Sequence, residues 1–350
     1  MQSEFGVVTA KRIEWLDILK GIAIILIVIG HLSLDSINPA IKNFIYSFHV
    51  PLFLFASGMV YKKRNSVKDF CRHDLLRVLY AYLFFTTLWI LFEYLWKSFV
   101  LNKSPINHNI WDYLLTIISG NGNITGISIG AMWYLSMYFA IRLMYEAISF
   151  VSNKYIKAVV VGLAFISGGF FLKGNALPWC ISSALTGLVF FYLGDAFKTY
   201  IFKFSETYKV LKDYRVIFPL MCYGIIILVG GTDSMSRNSY DSVLLFLLKA
   251  TCGFWGTVAL SIEFERIAVL RKSLTYYGVN SLHIMGWHSE LRIVFIYLLG
   301  SVVHSGLVKN VLTLVLSLIV CIPLNHFSDM MLNIVVQKIS LIKTAQTNNF

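Results

Sequence analysis

Charged side chains are scarce in this chain. They make up 14% of its 350 residues, whereas hydrophobic residues make up 57% and the mean hydropathy is +0.69. A soluble domain of this size carries about a quarter charged residues. The scarcity therefore excludes an ordinary soluble domain and predicts a polytopic membrane protein, because the apolar residues extend along the whole chain.

Paired cysteines and a cleavable leader are also lacking. The five cysteines have no paired spacing, which excludes a disulfide framework and a zinc site of recognisable pattern. Sixteen mostly polar residues precede Asp17, and no small-residue cleavage site follows the first apolar run. That run is therefore expected to be a retained signal anchor.

Ten apolar segments are long enough to cross a bilayer core, which takes about 20 residues in a helix, with a range of about 17–25. Backbone groups in lipid must be satisfied within the segment, so these segments are expected to be helices. The ten predicted spans are 18–34, 43–61, 75–96, 132–151, 156–172, 180–197, 216–231, 242–262, 280–299 and 307–327.

The distribution of lysine and arginine sets the orientation of these spans. With the N-terminus in the cytoplasm, nineteen basic residues fall in cytoplasmic segments and only five in external ones. The five external residues are Lys42, Lys97, Lys103, Lys173 and Arg237. This bias predicts cytoplasmic N- and C-termini. The expected organisation is a cytoplasmic segment 1–17, a single transmembrane domain 18–327 and a cytoplasmic tail 328–350.

Ionisable residues within the predicted spans are functional candidates, because each is costly in lipid unless it is paired or hydrated. They are Lys20, His31, His49, Glu93, Arg142, Lys249, His283, His288, Glu290 and Arg292. A purely structural bundle does not need so many. Any single one can still belong to an ion pair that only holds helices together.

Lys20 and His31 bound the apolar run KGIAIILIVIGH. Eleven residues make about three helical turns, so the two side chains share one face, about 16 Å apart along the axis. Lys20 lies at the cytoplasmic end and His31 toward the external end, with Asp35 one turn further on. Charge topology alone also accounts for a lysine at a cytoplasmic helix end, so a snorkelling Lys20 and a boundary His31 remain open.

The second predicted span opens with FHVPLFLFASG, which places His49 on the same side of the membrane as His31. Two imidazoles at one level suit general-base catalysis, since imidazole titrates near neutral pH. A metal site needs a third ligand, which the spacing does not identify, and no metal is expected. A Ser-His-Asp hydrolase is not expected either.

Several of these segments share features with one known family. In RIEWLDILKGIAIILIVIGH a basic residue, Lys20, precedes His31 by eleven positions; YSFHVPLFLFASGMVYKK follows, and CRHDLLRVLYAYLFF supplies Arg72 and Arg77. Later elements are GAMWYLSMYFAIRLMY, CISSALTGLVFFYLGDAFK and YYGVNSLHIMGWH. Together they resemble the membrane-bound acyltransferase family 3, and within it the fucose 4-O-acetylase-like branch. Ala81 stands where the family usually has proline.

The resemblance implies acyl transfer, usually from acetyl-CoA as co-substrate, to a sugar hydroxyl of a cell-surface or secreted glycan. It implies a multi-pass protein of the bacterial cytoplasmic (inner) membrane, with His31 central to the chemistry as general base or covalent acyl carrier. The partners expected on this basis are acyl-CoA, a glycan or lipid-linked sugar acceptor and membrane lipids, without nucleic acid.

The expected site then has three parts. The residues expected to hold the phosphates of the coenzyme are Lys20, Arg72 and Arg77. The residues expected to assist His31 are Asp35, which would fix the imidazole tautomer, and His49, Ser57 and His288, which would stabilise the oxyanion or relay a proton. The residues expected to contact the acceptor are Trp133 and Arg142.

Two other classes of protein stay open. A transporter or flippase for a lipid-linked sugar or an ion also suits ten spans with buried charges. Against that class, the sequence has no internal repeat and no pair of broken helices in matching positions. A catalytically inactive glycan or membrane receptor is the third class, because the chain departs from the family pattern at Ala81.

Overall fold

The structure, a computed structural model, describes residues 13–32, 38–102, 109–210 and 215–347, and these are mostly helical. The first four helices are α1 (Glu14–Gly30), α2 (Pro39–Tyr46), α3 (His49–Met59) and α4 (Val67–Phe70). They are followed by α5 (Leu76–Leu95), α6 (Ile110–Ser119), α7 (Gly122–Thr125), α8 (Trp133–Ser149), α9 (Lys154–Ile166) and α10 (Ile181–Val210). The second half holds α11 (Ile217–Val229), α12 (Val243–Phe264), α13 (Ala268–Val279), α14 (Ser281–Gly300) and α15 (Gly306–Thr347).

A two-strand hairpin interrupts the helices between α11 and α12. Strand β1 (Asp233–Ser234) pairs antiparallel with β2 (Ser239–Tyr240), and a short 3₁₀ turn, Met235–Arg237, joins them. Shorter π-helical turns, Cys71–Leu75 and Trp96–Val100, flank α5.

Five helices within the described ranges are long and apolar enough to cross a membrane. They are Leu76–Val100, Lys154–Phe171, Pro178–Lys209, Val243–Phe264 and Gly306–Leu332. The chain is therefore a helical, multi-pass membrane protein. Each of the ten predicted spans contains helix, but the count of ten and the cytoplasmic placement of the termini stay predictions.

The second predicted span, 43–61, is not one continuous helix. Helix α2 ends at Tyr46, a turn covers Ser47 and Phe48, and α3 begins at His49 with only eleven residues. Apolarity alone does not locate such a break. The break sets His49 at the first position of a helix, close to the end of α1.

Two glycine contacts allow helices to approach backbone to backbone. A side chain at Gly278 of α13 would overlap the Asp17 carbonyl of α1, and one at Gly21 of α1 would overlap the Leu274 carbonyl of α13. A side chain at Gly58 of α3 would likewise overlap the backbone of α10. Small residues let membrane helices pack this closely, where dispersion contacts drive association. These contacts fix α1 and α3 within the bundle.

We expect Gly278→Ala to destabilise the protein by about 1–3 kcal/mol, since the added methyl must push α13 away from α1. Gly162→Ala is the matched control, because a Cβ at this helical glycine would meet nothing within 4 Å. Alanine is also the better helix former by about 1 kcal/mol. Thermal unfolding in detergent, followed by tryptophan fluorescence, measures both variants. Equal melting temperatures would contradict the packing argument.

Candidate active site

Three histidines from three helices converge at one end of the bundle. His31 caps the end of α1, His49 opens α3 and His288 lies in α14. The His31 and His288 rings are 5.1 Å apart between centroids, and His49 is near enough to His31 to interact electrostatically. His288 is fully buried and His49 nearly so, whereas His31 is half-buried. The structure thus brings together three of the residues predicted to be catalytic.

Backbone carbonyls fix the tautomers of two of these histidines. His49 Nδ1 lies 2.8 Å from the Ile45 carbonyl oxygen, and His288 Nδ1 lies 2.9 Å from that of Met285. A carbonyl oxygen only accepts, so Nδ1 must carry the proton in both rings. Nε2 of each neutral ring is then a proton acceptor, which suits a relay or general-base role.

Tyr46 and Arg292 complete the surroundings of the histidine cluster, by which we mean His31, His49 and His288. The Tyr46 ring lies 5.0 Å from His49, and its hydroxyl donates to the Gly30 carbonyl at 3.3 Å. Arg292 interacts electrostatically with His31, His288 and Tyr46. A cation beside three neutral imidazoles can stabilise negative charge that develops on a reacting oxygen.

A cavity of about 330 Å³, here called the basic cavity, lies further along the same helices. Four of its lining side chains are basic and one is acidic: Lys20, Arg64, Arg77, Arg142 and Asp74. The rest of the lining is mostly apolar or aromatic and includes Phe53, Tyr134, Tyr138 and Met285, together with Ser57. A concave site with an excess of cations and apolar walls suits an anionic ligand with a long aliphatic part.

Asp74 links two of these cations. Arg64 donates to both oxygens of its carboxylate, at 2.6 and 3.2 Å, and Arg142 Nη2 lies 3.3 Å from Oδ1. The hydrogen bonds that Asp74 accepts raise the pKa of Arg64 above its ordinary value. Arg142 is buried, and its guanidinium lies over the rings of Tyr61 and Phe70 at 5.4 and 5.5 Å. Both arginines are therefore held in place at the cavity wall.

Three helices connect the basic cavity with the histidine cluster. On α1, Lys20 lines the cavity and His31 lies eleven residues on, about 16 Å along the axis. On α3, Phe53 lines it and His49 is four residues away. On α14, Met285 lines it and His288 is three residues away. The cavity therefore begins about one helical turn from two of the three histidines.

The remaining predicted residues are distributed between these regions. Ser57 lines the basic cavity, about 12 Å along α3 from His49, and so does not join the histidine cluster. Arg142, which was expected beside Trp133 at the acceptor, lines the basic cavity with Lys20 and Arg77 instead. Arg72 is half-buried and does not line the cavity.

Trp133 is the first residue of α8. Its side chain is partly buried and packs against two groups of buried apolar residues in the core of the bundle. Asp35 lies outside the described residues. The roles predicted for all of these side chains stay predictions.

Arg64, Asp74, Tyr46 and Arg292 were not assigned roles from the sequence. Asp74 lies inside the segment CRHDLLRV, and Arg292 is among the ionisable residues of the predicted spans. Both could therefore have been chosen as site candidates from the sequence. Arg64 was counted only as a cytoplasmic topology charge. Its place at the cavity depends on the turn between α3 and α4, which no local pattern reveals.

The string GISIG, Gly126–Gly130, matches the G-x-S-x-G pattern of hydrolases, which the sequence expectation overlooked. Its context differs from a nucleophile elbow, in which the serine lies between a strand and a helix. Here the exposed Ser128 follows helix α7, and its hydroxyl accepts a hydrogen bond from the Gly130 N–H at 3.1 Å. The match therefore gives no support to a hydrolase.

No group of three or more His, Cys, Asp or Glu side chains in the described ranges is arranged to hold a metal ion.

A buried ion pair anchors the hairpin near the histidine cluster. Lys249 of α12 lies 2.6 Å from Asp233 Oδ2 and donates to the Gly230 carbonyl at 2.6 Å. The Ser47 hydroxyl, two residues before His49, donates to the same Asp233 oxygen at 3.4 Å. Burial raises the pKa of Asp233 above its ordinary value, an effect that the Lys249 ammonium opposes. The pair therefore ties α12, the hairpin and the segment before His49 together.

Apolar spans, a basic cavity and a buried histidine cluster define a membrane protein with an internal, positively charged cavity. Comparison with family models matches residues 13–326 to the acyltransferase domain family known as acyltransferase 3. The match covers most of the chain, so the chain belongs to the acyltransferase 3 family and is an acyltransferase of the membrane type. No curated protein and no solved structure matched the chain.

We expect Lys249→Met to destabilise the protein by about 3–5 kcal/mol at neutral pH, because it leaves a buried carboxylate without its cation. Losing the cation raises the pKa of Asp233 further in the folded protein. Above that pKa the folded state must hold an unpaired charge, so the destabilisation grows as pH rises and shrinks as Asp233 becomes protonated.

The control is Lys97→Met, which removes an exposed pair with Glu93 and is expected to cost at most about 0.5 kcal/mol. Chemical unfolding of both variants at pH 5 and pH 8 measures the difference. A loss for Lys249→Met that is independent of pH would show that its packing, rather than its charge, supports the hairpin.

Proposed function

We propose that this acyltransferase moves an acetyl group from acetyl-CoA to a sugar hydroxyl of a cell-surface or secreted glycan. The observation that carries the proposal is the continuity between the basic cavity and the histidine cluster along α1, α3 and α14. Under the predicted orientation, the basic cavity faces the cytoplasm, where acetyl-CoA is made. The histidine cluster then lies toward the external side, where the glycan is found.

The basic cavity supplies the groups that the coenzyme requires. Arginines form paired hydrogen bonds with phosphate oxygens, and lysine adds a point charge. Lys20, Arg77 and Arg142 are the residues proposed to contact the phosphates, with Arg64 and Asp74 holding Arg142 in place. The apolar part of the lining suits the pantetheine arm, which must span about 16 Å from Lys20 to His31.

The transfer itself requires one proton acceptor and one oxyanion partner. His31 takes the proton of the sugar hydroxyl as its oxygen attacks the thioester carbonyl, forming a tetrahedral intermediate. Arg292 stabilises the oxyanion electrostatically. The carbon–sulfur bond then breaks, and the proton passes from His31 to the departing thiolate of the coenzyme. His49 and His288, each with an Nε2 acceptor, orient the hydroxyl or relay the proton; Nε2 of His288 lies 3.4 Å from the Ser289 hydroxyl, which can take part in the relay.

A covalent variant keeps the same groups. His31 attacks the thioester first, the carbon–sulfur bond breaks, and the coenzyme thiolate leaves with the proton that the imidazole loses. The acyl-imidazole then passes its acyl group to the sugar hydroxyl, whose proton goes to a neighbouring histidine while His31 is regenerated.

We expect His31→Ala to lower transfer of label from acetyl-CoA to glycan by about 10²–10⁴-fold, the usual contribution of a general base. Membranes that carry the protein are incubated with labelled acetyl-CoA, and both glycan label and released coenzyme thiol are counted. His304→Ala is the matched control, because this exposed histidine precedes α15 and lies outside the cluster.

Equal transfer by the His31 variant and the wild type would remove His31 from the mechanism. If the wild type gives no coenzyme-dependent label in any host glycan, the transporter or flippase class would be favoured instead.

Arg77→Ala is expected to raise the KM for acetyl-CoA about tenfold and to leave the KM for the acceptor unchanged, because a charge-assisted hydrogen bond to phosphate is lost. Arg72→Ala tests the same motif outside the cavity lining and is expected to change neither value by more than about twofold. Steady-state kinetics with each substrate varied in turn provides the measurement. A larger effect from Arg72 than from Arg77 would place the phosphates elsewhere.

A further inference from the structure

A second cavity, which shares no lining residue with the basic cavity, lies beside the β1–β2 hairpin. Its volume is about 400 Å³, and we call it the hairpin cavity. Its polar lining comes from the start of α7, the segment before α10, the first turn of α10 and the hairpin, and includes Asn121, Asn123, Asn175, Ser236, Arg237 and Ser239. The residues that line it include no large apolar side chain and no carboxylate. Such a lining suits a hydroxyl-rich ligand better than a lipid tail.

The walls of the hairpin cavity are fixed by buried hydrogen bonds. Asn238 at the hairpin tip has a left-handed backbone, with φ of 46°, and its amide donates to the carbonyls of Gly168 and Leu172 at 2.7 and 2.8 Å. Its amide oxygen accepts from the Thr186 hydroxyl at 3.0 Å. The Ser183 hydroxyl of α10 donates to the Met235 carbonyl at 2.6 Å. The hairpin is therefore held rigidly against α9 and α10, and the cavity is preformed.

Binding groups remain available on these fixed walls. Arg237 and Ser239 flank the anchored Asn238 and are exposed, and Asn175 faces them from the segment before α10. Within the part of the chain that the structure describes, these three side chains form no hydrogen bond or ion pair with the protein. A guanidinium, an amide and a hydroxyl together offer donors and acceptors that match sugar hydroxyls and an acid group.

The charge of this cavity is unusual for its predicted side of the membrane. External segments hold only five basic residues, as expected from the positive-inside bias. Arg237 lines the cavity, and Lys173 precedes the lining residue Gly174. Arg237 therefore places one of the five external cations on a wall that has no carboxylate, whereas Lys173, one residue from the lining, also interacts electrostatically with Asp241. A cation on a wall without a carboxylate favours an anionic ligand.

The hairpin also connects this cavity with the histidine cluster. Asp233 on β1 accepts from Ser47, two residues before His49, while Ser236 and Arg237 of the same hairpin line the cavity. A ligand in the hairpin cavity thus contacts the hairpin, and the same hairpin is bonded to the segment that leads into α3.

We propose that the hairpin cavity binds an anionic sugar unit of the acceptor, one that carries a carboxylate or a phosphate, with Arg237 pairing with the acid group. This inference rests on the proposed function, since it names the class of acceptor. Asn175 and Ser239 contact the hydroxyls of the same unit. The cavity therefore holds the glycan at a point distinct from the hydroxyl that is acylated.

The test measures binding and transfer separately. The full chain in zwitterionic lipid nanodiscs is titrated with glucuronic acid, glucose 1-phosphate and glucose, and contact is detected by saturation-transfer NMR. We expect at least one of the two acids to bind more tightly than glucose, and Arg237→Gln to weaken that binding about tenfold. Lys97→Gln, at another external lysine outside the cavity, is expected to leave it unchanged.

Repeating the titration with anionic lipid in the nanodiscs separates a sugar acid from a lipid headgroup. Loss of the Arg237-dependent signal there would assign the cavity to lipid phosphate and overturn the proposal. A wild-type preference for neither acid over glucose, or a preference unchanged in Arg237→Gln, would overturn it as well.

The two proposals fail in different ways. If Arg237→Gln leaves acid binding and acceptor KM intact while His31→Ala abolishes transfer, the hairpin cavity proposal fails and the proposed function stands. If acid sugars bind through Arg237 but no acetyl label reaches glycan, the cavity stands as a sugar site and the acetyl transfer proposal fails.

Discussion

Helix α1 carries both Lys20 and His31, and its position is set by backbone contact with α13. The contact needs glycine at Gly21 and Gly278, because a methyl group at either would strike a carbonyl of the other helix. A rigid helix fixes the separation of two of its residues at 1.5 Å per position. The α1–α13 contact therefore fixes where both ends of the proposed donor path lie, and every other element of the site is arranged around that axis.

Electrostatics divide the site into two regions with different chemistry. The basic cavity is lined by four cations and one carboxylate, and Lys20 also pairs with Asp17 at 2.7 Å, so the cavity retains positive charge after both carboxylates are counted. In the histidine cluster, the Nδ1 protons of His49 and His288 are committed to backbone carbonyls, which leaves Nε2 of each ring as an acceptor. An anion is therefore favoured in the first region, and proton transfer in the second. The spacing along α1 allows one extended substrate to occupy both.

The sequence predicted the parts of the site that depend on one helix and on family resemblance. The helical character of the described chain was confirmed, and α1 runs without a break from before Lys20 to its cap at His31, because both follow from local spacing. Lys20 and Arg77 were predicted to act together, and both line the basic cavity. His31 and His288 were also expected to cooperate, and their rings are 5.1 Å apart.

The residues that the structure separates share a physical reason. Trp133 and Arg142 occur in one motif, but nine helical positions place them about 13 Å apart along α8. Arg72 lies in the π-helical turn Cys71–Leu75 and Arg77 in α5, so a regular α-helical period does not relate them. Which face meets the cavity depends on packing between helices, and that packing has no local signature. The same holds for Arg64 and for the break between α2 and α3.

The hairpin illustrates how polar interactions add to apolar packing in positioning the part of the site around His49. Gly230 and Gly231 have positive φ, and the hairpin buries two apolar side chains of its own, Met235 and Tyr240. A buried ion pair gives little net stability compared with well-packed apolar groups, but its geometry is directional. Lys249, Asp233 and Asn238 therefore fix the orientation of a short loop that apolar packing alone would leave undetermined. Because Asp233 also contacts Ser47, the same bonds hold the segment that leads to His49. The hairpin therefore helps to fix the position of His49, on the proposed acceptor side of the site.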